Sequence, residues 1–211
     1  MHHMLFMGGL GTGKTFGMSL FAHWLKEQAM MRGANIELFS NYDLKDSTTM
    51  LDYTDWYKVA EADTSIICWD EAQVVFNNRA WSKFGQGIAT EVAMYTRKLR
   101  SVQLYATPNV NNVDSRIRDI IEVVVTMRKD NAGYHFYFTD FQGKEFLKKA
   151  FIPNWKAKQI YKLNLYDTYA FVRGFPLPSN ERQANEFWEK LDGIHRKKMG
   201  ISTGGLLIDR V

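Results

Sequence analysis

The chain has 211 residues, 45% of them hydrophobic and 14% aromatic, which is enough for one substantial core and too few for two full-sized domains. A formal charge of +4 suits a polyanionic partner but is far below that of a histone-like protein, so composition permits nucleic acid without requiring it. The single cysteine, Cys68, excludes an internal disulfide framework and a cysteine metal cluster and fits a reducing cytoplasm. No stretch approaches the roughly 18 to 20 apolar residues of a membrane span, so a soluble protein is expected.

Residues 4–7 predict a short strand that enters a glycine loop, and the early Gly8-Gly9 pair argues against a signal peptide. Apolar residues then recur at Met18, Phe21, Ala22, Leu25 and Ala29, a helical stripe that stops before Gly33. Residues 36–39 read as a second strand ending at Ser40-Asn41, and residues 55–62 as a helix. Residues 65–69 are apolar without alternation, the pattern of a central strand covered on both faces. A helix is expected over 87–99, a strand over 102–106 ending at Thr107-Pro108-Asn109, and a turn of helix over 114–118. A β-branched run at 120–126, the turn Asp130-Asn131-Ala132-Gly133 and the aromatic segment 134–141 predict an antiparallel hairpin. Residues 151–153 and 159–163 read as short extended pieces. Residues 180–198 read as a C-terminal helix with Phe187, Trp188 and Leu191 on its apolar side.

Alternating strand and helix over the first two thirds predicts an α/β fold. The expectation is a P-loop NTPase three-layer sandwich of the ASCE or RecA-like kind, with a central, mostly parallel sheet, a C-terminal antiparallel hairpin and a helix. Residues 1–170, including the hairpin 120–141, are expected to form the P-loop ATPase domain. Residues 171–211 are expected to be a C-terminal extension of the same domain.

Gly8, Gly9, Leu10, Gly11, Thr12, Gly13, Lys14 and Thr15 spell Gly-x4-Gly-Lys-Thr between a strand and a helix. Glycines at these places let backbone N–H groups turn inward on a phosphate, and the helix that begins there adds its positive end. With Phe16 directly after them, these residues are the candidate ATP-binding segment. Lys14 is expected between the β- and γ-phosphates, and the Thr15 hydroxyl on Mg²⁺. Asp70 ends the apolar strand where a magnesium carboxylate belongs, so Thr15 and Asp70 are the candidate metal residues. Glu71 follows directly and is placed to polarise the attacking water, its alternative being a surface charge. Thr107 or Asn109 is expected either to sense the γ-phosphate or to cap the following turn.

The loop at 8–15, Asn41 after the second strand, Asp70-Glu71-Ala72-Gln73, Arg79, Thr107 and Arg118, in this order, resemble the ATPase domain of the zonular occludens toxin (Zot)-like proteins. Tyr166-Asp167-Thr168 resembles a motif near the end of that domain, so the likeness covers roughly residues 4–170. The resemblance implies membership of the FtsK and HerA superfamily of DNA-pumping ATPases, which includes the genome-packaging ATPases of tailless, membrane-containing viruses. Thr107-Pro108 departs from the Thr-Gln usual at that position. The resemblance further implies a homo-oligomeric ring, commonly a hexamer, with an arginine reaching the neighbouring γ-phosphate. Arg79 and Arg118 fall at motif positions and are favoured over Arg97, Arg100 and Arg116.

Sequence-blind DNA binding needs lysine and arginine against phosphates. Three clusters qualify: Arg97-Lys98-Leu99-Arg100, the looser set Lys144, Lys148, Lys149, Lys156 and Lys158, and Arg196-Lys197-Lys198. The aromatics Tyr134, Phe136, Tyr137, Phe138 and Phe141 can in principle stack on bases, but core packing of a hairpin against the sheet explains them better. The leading expectation is an ATP-hydrolysing translocase that packages double-stranded viral DNA into a capsid, in the host cytoplasm or associated with the virion, with a capsid or vertex protein as partner. A phage extrusion or conjugation ATPase, a small-molecule P-loop kinase and a nucleotide-dependent assembly switch are the alternatives.

Overall fold

The structure, a computed structural model, describes residues 1–76, 95–168, 172 and 178–200. Strand β1 (His3–Met7) runs into the glycine loop, and helix α1 (Lys14–Met30) leaves it. The chain continues through β2 (Glu37–Ser40), β3 (Ser47–Thr49), α2 (Trp56–Glu61), β4 (Ser65–Trp69) and the single turn α3 (Ala72–Val75). After residue 94 come β5 (Ser101–Thr107), α4 (Ser115–Ile120), β6 (Val123–Lys129), β7 (Gly133–Asp140) and β8 (Phe146–Pro153). Helices α5 (Asn154–Tyr161) and α6 (Glu181–Lys198) complete the described elements.

All eight strands join one sheet in the order β3-β2-β4-β5-β1-β6-β7-β8. The ladders from β3 to β6 are parallel, while β6–β7 and β7–β8 are antiparallel. This is the mostly parallel α/β sheet of a P-loop NTPase with an antiparallel hairpin appended, as the sequence predicts. Every residue of β4 is buried: Ile67 and Trp69 enter one core, and Ile66 and Cys68 enter the other. β1 splits in the same way, with Leu5 on one face and Met4 and Phe6 on the other. Helices therefore cover both faces of the centre. Phe16, Met18 and Ala22 of α1 pack on one side, and Trp56 and Val59 of α2, Ile117 of α4 and Phe187 and Leu191 of α6 pack on the other. Among the described residues no helix is long and apolar enough to cross a membrane.

Several expectations are corrected. The 55–62 helix is shorter and is preceded by a 3-10 turn at Tyr53–Asp55, because Asp52 and Asp55 form a capping box there. Residues 159–163 are not extended. Pro153 stands at the N-cap of α5, and the helix buries Ala157 against the sheet, so the apolar positions follow a helical period. β8 begins at Phe146, well before residue 151, and Ile120 closes α4 instead of opening β6. Most of the helix expected over 87–99 lies outside the described residues; Tyr95–Arg97 is a 3-10 turn. β3 was not foreseen.

After α5 the chain crosses the phosphate-loop helix. Tyr161 stacks on Phe16 with ring centroids 4.7 Å apart, and its hydroxyl lies 3.2 Å from that of Tyr134 on β7. Beyond Tyr161, Lys45 N donates to Leu165 O and Asp167 N donates to Asp43 O, both at 2.9 Å, around a bridge between Leu44 and Tyr166. A single strap, residues 161–167, thus ties the β7 side of the sheet to the β2 side over α1.

Candidate active site

Parallel strands bring their C-terminal ends to one edge, and β5 lies between β1 and β4. Met7 pairs with Thr107, and Trp69 with Tyr105. The glycine loop, Thr107 and Asp70-Glu71 therefore meet at the same edge, although they are far apart in sequence.

The loop turns back on itself: Thr12 donates through its hydroxyl to Gly9 O at 2.8 Å, and its N–H donates to the same oxygen at 3.4 Å. Gly13 adopts φ 85°, and an added Cβ there would lie 2.6 Å from the Tyr134 ring, so glycine is required for both conformation and space. α1 has no side-chain cap and no acidic residue in its first turn, which leaves its first N–H groups for an external acceptor. Lys14 is 7% exposed, and its described hydrogen bond goes to one neutral acceptor, Gly9 O at 3.1 Å. A buried ammonium so lightly satisfied fits an anionic ligand, as does the uncapped helix end.

The Thr15 hydroxyl lies 3.1 and 3.0 Å from the two carboxylate oxygens of Asp70. Burial raises the Asp70 carboxyl to about 6; the negative charge of Glu71 adds to the rise, and the Thr15 hydroxyl and Lys14 oppose it. Hard oxygen donors paired in this way beside a phosphate cradle fit Mg²⁺, which takes one or two carboxylate or hydroxyl ligands and completes its shell with phosphate and water. Among the described residues no group of three or more His, Cys, Asp or Glu side chains forms a metal cluster.

Asp70 is held from β2. Asn41 Nδ2 donates to Asp70 O at 3.0 Å, and Asp70 N donates to Asn41 Oδ1 at 2.7 Å. This two-way clamp fixes the backbone at the end of β4. The next residue, Glu71, takes φ 46° and ψ 51°, a left-handed conformation that costs a non-glycine residue about 1–2 kcal/mol. Its carboxylate accepts a hydrogen bond from Gln73 Nε2. The turn swings Glu71 away from the strand line and starts α3.

Thr107 is fully buried and spends its hydroxyl on Asn109 O at 3.2 Å. Asn109 caps the next 3-10 turn by accepting from Asn111 N at 2.9 Å. Arg118 donates to Asn111 Oδ1 at 3.1 Å, on the loop that leaves β5. Arg79 lies outside the described residues. Asn41 and Gln73 are the side chains whose parts the sequence did not reveal. Asn41 reads as a strand-end turn residue, and only its place in the family resemblance marked it.

The model of the family described as zonular occludens toxin (Zot) matches residues 15–170. The chain belongs to the Zot family. The match begins at Thr15, so the glycine loop before it rests on the geometry above. Among solved structures, the N-terminal domain of zonular occludens toxin from Neisseria meningitidis is similar at 16% identity, with TM-score 0.56, covering 79% of this chain and 98% of that one. The genome packaging NTPase of Sulfolobus turreted icosahedral virus 2, in complex with ATP-gammaS, is similar at 11% identity and TM-score 0.51, covering 72% of this chain and 97% of the other. The DNA-packaging ATPase from Sulfolobus turreted icosahedral virus is similar at 13% identity and TM-score 0.51, with the same coverage. At these identities the likeness concerns the fold. Comparison with curated protein sequences returned no match. This Zot-family chain is a P-loop ATPase.

Proposed function

We propose that this chain couples ATP hydrolysis to the movement of double-stranded DNA into a capsid, working as a homo-oligomeric ring, with six subunits the expected number. The observation that carries the ATPase half is the contact of Thr15 with both oxygens of Asp70, across 55 residues of sequence, beside a buried Lys14. In this reading residues 8–16 hold the nucleotide and Lys14 neutralises the β- and γ-phosphates. Thr15 and Asp70 hold Mg²⁺, which when bound neutralises charge developing on the phosphate oxygens. Glu71 orients and polarises the attacking water, and Thr107 or Asn109, at the end of β5, senses the γ-phosphate, for which the hydroxyl of Thr107 would have to leave Asn109 O. Arg118 or Arg79 reaches the site of the neighbouring subunit. Residues 1–170 act as the ATPase unit and 171–211 as its extension, supported by Phe187 and Leu191 packing in the same cluster as Trp69.

The DNA half is supported by the family, by the fold shared with packaging ATPases of viruses, and by exposed cations. Lys144, Lys148, Lys149, Lys156 and Lys158 all stand exposed, as do Arg97, Lys98 and Arg100. The Arg196-Lys197-Lys198 cluster is weaker than its composition suggests. Arg196 pairs with Asp192 at 2.5 Å, and Lys198 donates to the carbonyls of Ala60 and Ala62. The site of action in this reading is the host cytoplasm at the capsid surface, with a capsid or vertex protein as docking partner.

Steady-state hydrolysis of Mg·ATP, with and without linear double-stranded DNA across a salt series, tests the proposal. DNA is expected to raise the rate, and salt to remove the increase. A rate indifferent to DNA at every salt concentration would refute the translocase half and leave the ATPase.

A further inference from the structure

The aromatic hairpin divides its rings between two faces. Tyr134, Phe136 and Phe138 face α1, the first two buried and Phe138 against Phe21. His135, Tyr137 and Thr139 alternate to the other side. Registers place neighbours on that same face: Arg128 opposite His135 and His135 opposite Phe151; Thr126 opposite Tyr137 and Tyr137 opposite Lys149; Val124 opposite Thr139 and Thr139 opposite Phe146. Val124 still belongs to the core under the covering helices. Beyond it the face opens, and Phe146 is 63% and Phe151 45% exposed.

Rings and cations interleave on this face. Lys149 Nζ lies 5.3 Å and the Arg128 guanidinium 5.8 Å from the centre of the Tyr137 ring. His135 lies 4.7 Å from Phe151, centroid to centroid, and 6.4 Å from Tyr137. Neither Arg128 nor Lys149 forms an ion pair with a carboxylate among the described residues. Asp130, which touches this face at His135, is engaged with His135 Nε2 at 2.8 Å and with the turn N–H groups of Ala132 and Gly133. Arg128 and Lys149 therefore outnumber Asp130 on this face, beside the exposed rings of Phe146 and Phe151.

We infer that this face of β6, β7 and β8 binds single-stranded nucleic acid. Phosphates would take Arg128 and Lys149, and unpaired bases would stack on Phe151 and Phe146. The rings decide against a duplex, whose bases are stacked on one another and offer no open faces. The lysine in the middle decides against an apolar protein partner, because the buried centres of protein interfaces are depleted in lysine. Lys148 and Lys149 on β8 also guard that edge against pairing with another strand. None of these residues lies in the nucleotide site; the packaging proposal also draws on Lys148 and Lys149, so the exposed rings, which a duplex cannot use, are what separate the two readings.

The test is fluorescence anisotropy of the full chain with labelled oligo-dT and oligo-rU of about 16 nucleotides and with a duplex of equal length. Wild type is expected to bind at least one single strand more tightly than the duplex, and the tighter of dT and rU identifies which strand it takes. F146S/F151S, both at exposed positions, is expected to lose about tenfold or more in single-strand affinity while duplex binding stays unchanged. K149Q is expected to lower the slope of log affinity against log salt by about 0.7 on the single strand. Circular dichroism and nucleotide binding, both expected at wild-type values, establish that the variants are folded; if the double variant does not fold, F151S alone supplies the same readout. Unchanged single-strand affinity in a folded aromatic variant, or wild-type binding of duplex as tight as of single strand, would overturn the inference. Loss of duplex-stimulated hydrolysis in wild type would count against packaging and leave this face untouched.

Discussion

Replacing Asn41 by alanine removes a side chain that clamps the Asp70 backbone from outside the phosphate loop. Asn41 is 8% exposed, and both its amide groups are spent on the Asp70 backbone, at 3.0 and 2.7 Å. Alanine leaves a partly buried N–H and C=O without partners. Each unsatisfied group costs about 1–3 kcal/mol, so N41A should lose about 2–6 kcal/mol of stability, a large part of what a domain of this size has. Function should suffer separately. Asp70 would no longer be fixed against Thr15, and a displacement of about 1 Å at such a centre lowers kcat by roughly 100-fold. Nucleotide affinity without Mg²⁺ rests on the loop and Lys14, and should stay near wild type. Urea unfolding and steady-state kinetics, together with nucleotide titration in chelator, measure all three. An N41A variant within about 0.5 kcal/mol of wild type and with unchanged kcat would refute the clamp.

K14A should abolish nucleotide binding, whereas E71Q should keep it and lower turnover by about 100-fold or more, read by titration and by phosphate release. Burial depresses the His3 ring from 6.5 to about 4, so its neutral form contributes stability that is complete above pH 6.5 and lost as pH falls toward 4. That window is worth about 3 kcal/mol, and H3F, which leaves Tyr105 donating to Gln103, should flatten this part of the stability–pH curve measured by denaturant melts. Cys68 is fully buried, and burial pushes its thiol up, so a thiol reagent should react with the native chain only as fast as the chain opens; rapid labelling in native buffer would contradict the packing of β4.

The glycine loop and the Asp70-Glu71 pair were legible because their chemistry demands particular residue types at fixed spacing, and β4 because an unbroken apolar run has one comfortable place in a sheet. What escaped depended on partners distant in the chain. Ser47-Thr48-Thr49 carries no apolar pattern, since β3 is an edge strand with little to bury. Ile160 and Tyr161 read as extended until Pro153 and Ala157 set the helical phase of α5. Charge was the least readable property. Arg196 and Lys198 count toward a basic cluster in sequence, yet one pairs with an aspartate and the other closes the carbonyl end of α2. Tyr134 and Tyr137 look equivalent in the hairpin; the register sends one against Gly13 and the other to the open face.

The strap over α1 has a consequence for how the molecule loosens. Because residues 161–167 are held at Phe16 and around Leu44, the nucleotide-binding helix cannot lift from the sheet without releasing contacts at both flanks together. Amide hydrogens of the α1 first half, of residues 43–45 and of 165–167 should therefore exchange as one cooperative unit. A ligand that rigidifies the loop would slow exchange at the far edge of β2, so events at the phosphate end of the sheet are registered at its margin by ordering alone.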